Sequence, residues 1–494
     1  MRNTTVDAAQ AAKTDLLRLL GLALLLLGWR FALLPQLGIT LYVDEAQYWT
    51  WAQEMDWGFF SKPPGIAALI WLSTACFGDG LLGVKALAML CYPLSALVCW
   101  AIARRLYDAQ TAFWSALAIM TLPVFSWLGL FVSTDALLTL FWTLALWAYL
   151  RACERDGWAD WLLLGLICGL GLLSKYTMAA WMLAAGLHLL VFHRTRLASP
   201  RPWVGLAIAV LLLLPNILWN VAHDFPTLRH TADITVNKTA AGGLRQLGEF
   251  WAAQWLACGP LLGFFLFALF FRVDRVMRDA RTRLLLWFAL PLWLIVSAQA
   301  LKSGANANWA APAFAPALIA VVAGLLARGQ RRWLLAGLVI NVVLVAVVYH
   351  WSHILATVNV AQAAKKDPYT RARGWDVLGQ QLGPLLTAHP EAILVADNRT
   401  VLAHMRYELR AQQPSAMSWN PGGEAGDHYK LTTHLDQQRG RDVLFVSRDP
   451  IGESITGRFR SATPLGTLRA PLDRQTDGAA LTLNVTLLHD FQGY

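Results

Sequence analysis

Long apolar runs separated by short polar loops make up most of the chain before residue 358. A helix needs about 20 mostly apolar residues to cross a bilayer, and roughly eleven runs meet that requirement. The pattern therefore predicts an α-helical polytopic membrane domain over residues 1–357. A shorter apolar run, residues 65–77, is predicted to form a re-entrant or interfacial helix. The predicted spans are centred near Leu24, Leu94, Leu117, Leu144, Leu166, Leu183, Leu212, Leu262, Leu292, Leu318 and Val343.

The pattern changes after Val358, where polar residues, glycine, proline and charges become frequent. The short apolar runs 392–396 and 443–447 are predicted to be buried strands, and residues 374–386 have helical spacing. Residues 358–494 are therefore expected to form a small soluble α/β domain with an accessory role. The apolar side of its predicted helix consists of Trp375, Leu378, Leu382 and Leu385.

The composition agrees with a polytopic membrane protein, since 56% of the 494 residues are hydrophobic and only 15% are charged. Cytoplasmic loops of such proteins hold an excess of lysine and arginine. When the N-terminus, with Arg2, Lys13 and Arg18, is taken as cytoplasmic, every second loop is basic. An odd number of spans then places the C-terminal domain outside. The expected location is the inner membrane of a Gram-negative bacterium, with the C-terminal domain in the periplasm.

Charge and cysteine usage argue against several other classes of protein. The formal net charge of +10 follows mainly from the topology, and no basic patch with interleaved aromatic side chains indicates nucleic-acid binding. All six cysteines lie in or beside apolar runs without a CxxC or Cys/His cluster, so neither a disulfide framework nor a structural zinc site is expected. The first span lacks a small-residue cleavage site and is expected to be a retained anchor.

The first predicted outer loop, residues 38–80, carries the strongest candidates for chemistry. Residues 45–57 have the aromatic and polar composition of a helix lying in the membrane interface. Carboxylates at a membrane boundary are functional candidates when they face a cavity, although an isolated acid there is more often simply solvated. The flanking aromatic residues favour the functional interpretation. Two acids and two tyrosines follow the first span directly: Tyr42, Asp44, Glu45 and Tyr48.

Two lysines near this loop are candidates for binding a phosphate. Lys62 precedes Pro63 and Pro64, which keep it out of helical geometry and stiffen the backbone. A lysine held in this way can meet a phosphate oxygen as a point charge, or it can bind lipid headgroups. Lys85, near the outer end of the second span, is a second candidate, and snorkelling to the interface is the alternative.

Polar residues also occur at the outer ends of three later spans. Asp135, in the sequence Ser133-Thr134-Asp135, is either a second cavity carboxylate or part of a helix N-cap. Each of the other residues alone could be a helix terminus, but together they indicate one cavity at one membrane face. Lys175 and Lys302 are expected to bind the donor phosphate. The other residues expected to line the cavity are Tyr176, Asn306, Asn308 and Trp309.

A general base, cationic phosphate binders and a lipid-accessible cavity suit the transfer of a sugar from a polyprenyl phosphate. In this reaction a carboxylate accepts the proton of an acceptor hydroxyl, while lysine or arginine stabilises the phosphate leaving group. Direct displacement inverts the anomeric centre. No metal-binding carboxylate motif is visible, and side chains alone can neutralise a lipid monophosphate, so no cofactor is expected.

These motifs resemble the bacterial branch of the GT-C glycosyltransferases, and in particular the dolichyl-phosphate-mannose protein mannosyltransferase family, which includes the aminoarabinose transferases of lipid A. The similarity covers roughly residues 16–355. The first-loop motif is its most specific part. The residues that carry the resemblance are Asp44-Glu45-Ala46-x-Tyr48, Lys62-Pro63-Pro64, Arg104-Arg105, Ser133-x-Asp135, Ser174-Lys175-Tyr176 and Asn308-Trp309-x-x-Pro312.

The resemblance implies an inverting membrane transferase that uses a lipid monophosphate sugar. By position, it makes Asp44 the catalytic carboxylate with Glu45 beside it, Lys62 the phosphate-contacting lysine and Asp135 a second cavity aspartate. The first loop departs from the family pattern, because it is shorter than in the lipid A enzymes and lacks the large lumenal insertion of the protein mannosyltransferases.

Three functional hypotheses remain open at this point. The first is a transferase acting on lipid A, another glycolipid or a surface polysaccharide, and the second is a protein O-glycosyltransferase. The third is a polyprenyl-lipid flippase or transporter, which would be expected to show inverted repeats or broken helices at the membrane midplane. The clustering of polar residues at one face favours the transferases.

Overall fold

The structure is a computed structural model of the chain, and it describes residues 2–233, 243–358, 366–472 and 479–494. Among the described residues before 359, the regular elements are helices joined by loops. The helices are α1 Arg2–Leu33, α2 Val43–Gln53, α3 Gly65–Phe77, α4 Leu81–Leu106, α5 Ala109–Met120, α6 Pro123–Leu128, α7 Thr134–Arg155, α8 Trp158–Ser174, α9 Met178–Phe192, α10 Pro200–Ala222, α11 Pro226–Ala232, α12 Leu244–Cys258, α13 Pro260–Phe270, α14 Val273–Arg278, α15 Ala280–Trp287, α16 Leu290–Ser303, α17 Phe314–Ala327, α18 Arg331–Tyr349 and α19 Trp351–Thr357.

Within the described residues, seven helical segments are long and apolar enough to cross a membrane. The protein is thus an α-helical, multi-pass membrane protein, but the predicted number of about eleven spans is not confirmed. Four predicted centres, Leu117, Leu166, Leu183 and Leu262, lie in helices of 11 to 17 residues. The seven segments are Gln10–Leu37, Leu81–Leu106, Thr134–Arg155, Pro200–Ala222, Ala280–Ser303, Ala307–Ala327 and Arg331–Tyr349.

A small α/β domain follows the last membrane helix. Its sheet has the strand order β2-β1-β3-β5-β4, in which β1 is parallel to β2 and β3, and β5 is antiparallel to β3 and β4. The elements are α20 Trp375–Ala388, α21 Arg399–Glu408, α22 His428–Thr432 and α23 Glu453–Thr456, with β1 Ile393–Ala396, β2 Ala416–Ser418, β3 Val443–Ser447, β4 Phe459–Pro471 and β5 Ala480–Phe491.

Helices α8 and α10 pack at very short range, because glycines face each other where they cross. A Cβ atom on Gly165 would lie 2.2 Å from the carbonyl oxygen of Gly205. Small residues allow helix backbones to approach in this way inside a membrane. The crossing matters for the site, because Lys175 caps the C-terminus of α8 and Asn216 lies on α10.

Helix α2 lies between the membrane helices and the C-terminal domain. Its residues from Glu45 to Ala52 are buried. The Thr50 hydroxyl lies 3.1 Å from the Tyr429 hydroxyl, and the rings of Trp49 and Tyr407 meet edge to face with centroids 5.3 Å apart. The predicted helix exists, and the C-terminal domain covers it.

Candidate active site

A cavity of about 1200 Å³ opens beside α2 and collects residues from distant parts of the chain. Its walls come from the start of α2, the loop before α3, the start of α7, the α8–α9 connection and the segment after α16. All of the predicted site residues except Lys85 and Lys302 line it. These residues are Tyr42, Asp44, Glu45, Tyr48, Lys62, Asp135, Lys175, Tyr176, Asn306, Asn308 and Trp309.

Asp44 presents its carboxylate to both the cavity and the C-terminal domain. It lies in the first turn of α2, and its side chain is 45% exposed. Its Oδ1 accepts a hydrogen bond from Nη2 of Arg399 at 3.1 Å. Nη1 of the same guanidinium donates to Oε1 of Gln47 at 2.9 Å. Asp44 therefore has one oriented oxygen and remains accessible from the cavity.

Glu45, its neighbour in sequence, has a different environment. The side chain is 1% exposed, and both carboxylate oxygens are already occupied. Oε1 accepts from Nζ of Lys85 at 2.5 Å and from the backbone N–H of Val132 at 2.6 Å, while Oε2 accepts from the backbone N–H of Tyr42 at 2.7 Å. Glu45 thus anchors α2 to its surroundings, and Asp44 is left as the accessible carboxylate of the pair.

Two lysines predicted to bind the donor phosphate are placed elsewhere. The ammonium of Lys85 is fully buried in its ion pair with Glu45 and does not line the cavity. Lys302 is exposed near the end of α16, also outside the cavity. The structure therefore corrects both assignments, because a span end in sequence does not fix the direction in which its lysine points.

Asp135 forms the centre of a second polar group in the cavity wall. Its Oδ1 accepts from Nζ of Lys175 at 2.6 Å, and its Oδ2 accepts from Nδ2 of Asn308 at 2.7 Å. The Ser133 side chain makes no capping hydrogen bond at the N-terminus of α7. The arrangement ties α7, α8 and the 3₁₀ helix Ala307–Ala313 together at one point, and it neutralises Lys175.

Lys62 is the cavity lysine without a carboxylate partner. No carboxylate of the described residues lies within ion-pair distance of its ammonium. Burial, and to a lesser extent the positive charge of Lys175, lowers the pKa of Lys62 from 10.5 to about 8. The ammonium is therefore still largely protonated at neutral pH and available to an anion.

The loop that carries Lys62 is held by hydrogen bonds from α10 and α11. Nδ2 of Asn216 donates to the carbonyl of Trp57 at 2.7 Å, and the Thr227 hydroxyl donates to the carbonyl of Phe59 at 3.0 Å. The Tyr176 hydroxyl in turn donates to Asn216 at 2.5 Å. These bonds tie the Lys62 loop to its neighbours and, through Asn216, to the cavity residue Tyr176, as expected for a preorganised site.

Tyr42, Tyr48 and Arg371 also line the cavity. Burial raises the pKa of Tyr48 well above its usual value, so its phenol stays neutral. The Tyr42 hydroxyl accepts from Nη1 of Arg371 at 2.8 Å. Sequence reasoning missed both Arg371 and Arg399, since they lie more than 320 residues from their partners and in no motif. Within the described ranges, no group of three His, Cys, Asp or Glu side chains is placed to hold a metal ion.

Comparison with known proteins agrees with this architecture. The sequence model of the dolichyl-phosphate-mannose-protein mannosyltransferase family matches residues 61–219. The chain is 31% identical over 439 residues to the lipid A galacturonosyltransferase RgtD of Rhizobium johnstonii, covering 88% of this chain and 91% of that relative. The chain belongs to this GT-C glycosyltransferase family. It is a multi-pass membrane glycosyltransferase.

Other relatives extend the comparison to the aminoarabinose transferases. An undecaprenyl phosphate-alpha-4-amino-4-deoxy-L-arabinose arabinosyl transferase of Pseudomonas fluorescens is 29% identical over 316 residues, which cover 57% of this chain and 53% of that enzyme. The crystal structure of ArnT from Cupriavidus metallidurans bound to undecaprenyl phosphate superposes with a TM-score of 0.66 at 16% identity, covering 95% of this chain and 97% of that chain. The GT-C fold predicted from the sequence is confirmed.

Proposed function

We propose that this protein transfers a sugar from a polyprenyl monophosphate to lipid A at the outer face of the bacterial inner membrane. The observation that carries the proposal is a cavity that holds an accessible carboxylate, Asp44, together with the ammonium of Lys62, which has no carboxylate partner among the described residues. Similarity to the lipid A galacturonosyltransferase over most of both chains supports lipid A as the acceptor.

In the proposed reaction, Asp44 is the general base and Lys62 binds the donor phosphate. The acceptor hydroxyl attacks the anomeric carbon while Asp44 takes its proton. The bond between that carbon and the phosphate oxygen breaks, and its electron pair stays on the phosphate, whose charge Lys62 stabilises. Attack opposite to the leaving group inverts the anomeric configuration. Asp135, bound by Lys175 and Asn308, shapes another part of the cavity wall.

We further infer that the transferred sugar is acidic. Arg371 is exposed on the cavity wall, and its Nη1 donates a hydrogen bond to the Tyr42 hydroxyl, which is not a carboxylate. With Lys62 assigned to the phosphate, Arg371 is a second cation available to a sugar carboxylate, which a guanidinium can bind through two hydrogen bonds. The relative named for galacturonosyl transfer agrees with this substrate class.

The proposal also fixes an orientation in the membrane. Residues 1–357 form the membrane domain with a cytoplasmic N-terminus, and residues 358–494 form a periplasmic domain. The excess of lysine and arginine in alternate loops supports this arrangement. It puts the cavity on the side where polyprenyl-linked sugars and lipid A meet.

The test is mass spectrometry of lipid A, glycolipid and envelope-protein fractions from four matched strains. These carry the native chain, a deletion, Asp44→Asn, or the control Glu424→Gln in an exposed loop of the C-terminal domain. We expect lipid A to lose a hexuronic-acid-sized mass in the deletion and in Asp44→Asn, and to keep it in the control.

Other outcomes point to the alternatives. If the sugar-sized mass is lost from the envelope-protein fraction, the acceptor is a protein and not lipid A. If the mass is lost in the deletion strain but kept in Asp44→Asn, Asp44 is not the general base, and a transport role is favoured. Loss of an aminopentose-sized mass would overturn the acidic sugar alone.

A further inference from the structure

The C-terminal domain contacts the proposed catalytic carboxylate through the first residue of α21. Asn398 caps this helix, with its side-chain oxygen accepting from the backbone N–H of Thr400 at 2.8 Å. A capped helix start has a defined backbone direction. Arg399 follows this cap and extends to α2, where it binds Asp44 and Gln47 with two different nitrogens.

Helices α21 and α2 run side by side, so the contact at Asp44 is one of several. Seven residues after Arg399, Arg406 forms an ion pair with Glu54 just after α2, and Tyr407 packs on Trp49. The two arginines therefore join the same two helices at opposite ends. One end is at the proposed catalytic carboxylate, and the other end is outside the cavity.

We propose that the C-terminal domain is part of the catalytic apparatus, with Arg399 as the residue that positions Asp44. This inference rests on the proposed function, because it assumes that Asp44 is the general base. The guanidinium holds Oδ1, and Gln47 holds the guanidinium, so the carboxylate cannot rotate freely. Among the described residues, Oδ2 of Asp44 has no hydrogen-bond partner. It is the oxygen that receives the proton of the acceptor.

The chemistry explains why an arginine is suited to this position. The rigid fork of arginine can bind Asp44 and Gln47 at once, which a single ammonium does less well. A small displacement of a general base can reduce the rate on the order of 10²-fold. The domain therefore contributes orientation to the chemical step, in addition to covering α2.

The experiment compares five forms of the full-length purified protein: native, Arg399→Gln, Arg399→Lys, Arg406→Gln and Asp44→Asn. Each is added to washed membranes of the deletion strain, which hold the unused donor and acceptor. The rate of product formation is measured by mass spectrometry against the amount of membrane, so that the saturating rate and the half-saturating amount are separated. Thermal unfolding is recorded for every form.

We expect Arg399→Gln to lower the saturating rate on the order of 10²-fold with little change in the half-saturating amount. Arg399→Lys should regain part of that rate, because it restores the charge with fewer oriented donors. Arg406→Gln removes an arginine from the same helix pair and should keep the native rate, with thermal unfolding close to that of Arg399→Gln.

Two results would overturn the inference and leave the proposed function standing. In the first, Arg399→Gln keeps the native saturating rate while Asp44→Asn loses it. In the second, Arg406→Gln loses as much rate as Arg399→Gln, which would show that both arginines act through docking of the domain. If Asp44→Asn itself keeps the native rate, the proposed function fails at its base and the inference fails with it.

Discussion

The ammonium of Lys85 lies 2.5 Å from Oε1 of Glu45, and neither side chain is accessible to solvent beyond 1%. The same carboxylate also accepts the backbone N–H groups of Tyr42 and Val132. These contacts join α4, the start of α2 and the segment before α7. Because Asp44 precedes Glu45 in the same helical turn, the buried pair determines which way the accessible carboxylate points.

The first prediction concerns the stability of this pair. Removing one partner leaves an unpaired charge in a medium of low dielectric constant, so Lys85→Met or Glu45→Gln should each destabilise the protein by about 3–5 kcal/mol. The double variant should lose much less than the sum, because no charge is left unpaired. Thermal unfolding of the detergent-solubilised protein measures the differences. Lys302→Met, at an exposed position, is the control and should unfold like the native protein. Additive losses in the double variant would contradict the coupling.

The second prediction follows from the lowered pKa of Lys62. Its ammonium carries the charge below about pH 8 and loses it above, since burial lowers the pKa to about 8. The kcat/KM for the donor reports groups of the free enzyme, so it should fall as pH rises through about 8. Arginine stays protonated in this range, and Lys62→Arg should therefore remove the alkaline limb even if it is less active. If kcat/KM of Lys62→Arg still falls at alkaline pH as in the native protein, the fall is caused by the titration of another group.

The third prediction concerns the group around Asp135. Asp135→Asn and Lys175→Met each break the same bridge between α7 and α8. Both variants should lower kcat/KM by similar factors, and by less than Asp44→Asn does. The kcat/KM of the double variant should be no lower than that of the less active single variant. Residues that act as a unit show such non-additivity. Steady-state kinetics of the three forms checks it, and multiplicative losses would show that the residues act independently.

The fourth prediction tests the assignment of Arg371 to a sugar carboxylate. A hydrogen bond to a charged group contributes about 1.5–3 kcal/mol, which corresponds to roughly 10- to 100-fold in affinity. Arg371→Gln should raise the KM for a uronosyl donor by about that factor and leave the KM for a neutral-sugar donor unchanged. Competition between the two synthetic donors gives the ratio directly. Equal losses for both donors would place the effect of Arg371 on Tyr42 or the phosphate instead.

The predictions made from sequence succeeded where one element decides the outcome. Two short, strongly apolar runs were correctly predicted as the strands Ile393–Ala396 and Val443–Ser447, and apolar residues at helical spacing predicted the helix from Trp375. Such patterns of buried residues can be recognised without knowledge of the tertiary structure. The long strand Phe459–Pro471 was missed because most of its residues are exposed and no alternation marks a buried face.

The candidate site shows the same limit. The sequence grouped Asp44, Lys62 and Asp135 in one cavity, because all three lie at predicted span ends on the same side of the membrane. The sequence pattern does not show that the adjacent acids Asp44 and Glu45 point in different directions, because that depends on Lys85 from another helix. It also could not find Arg399, whose partner is 355 residues away and across a domain boundary.

The fifth prediction concerns a contact between the C-terminal domain and the segment before α2. Glu408, at the end of α21, accepts a hydrogen bond from the Thr40 hydroxyl. Burial raises the pKa of Glu408 from 4.5 to about 7, with a smaller contribution from the charge of Asp376. The folded protein therefore keeps a proton that the unfolded chain has lost between these two values.

The sign of the effect follows from linkage. Where the folded state binds more protons than the unfolded state, stability falls as pH rises, so the contribution of Glu408 is present below about pH 4.5 and is lost through about pH 7. Glu408→Gln cannot titrate and should flatten this part of the stability profile. Thermal unfolding of both forms at several pH values across the window measures the slope, with Glu424→Gln as the exposed control. A native slope in Glu408→Gln would show that the Thr40 contact does not sense pH, and that other groups cause whatever dependence is seen.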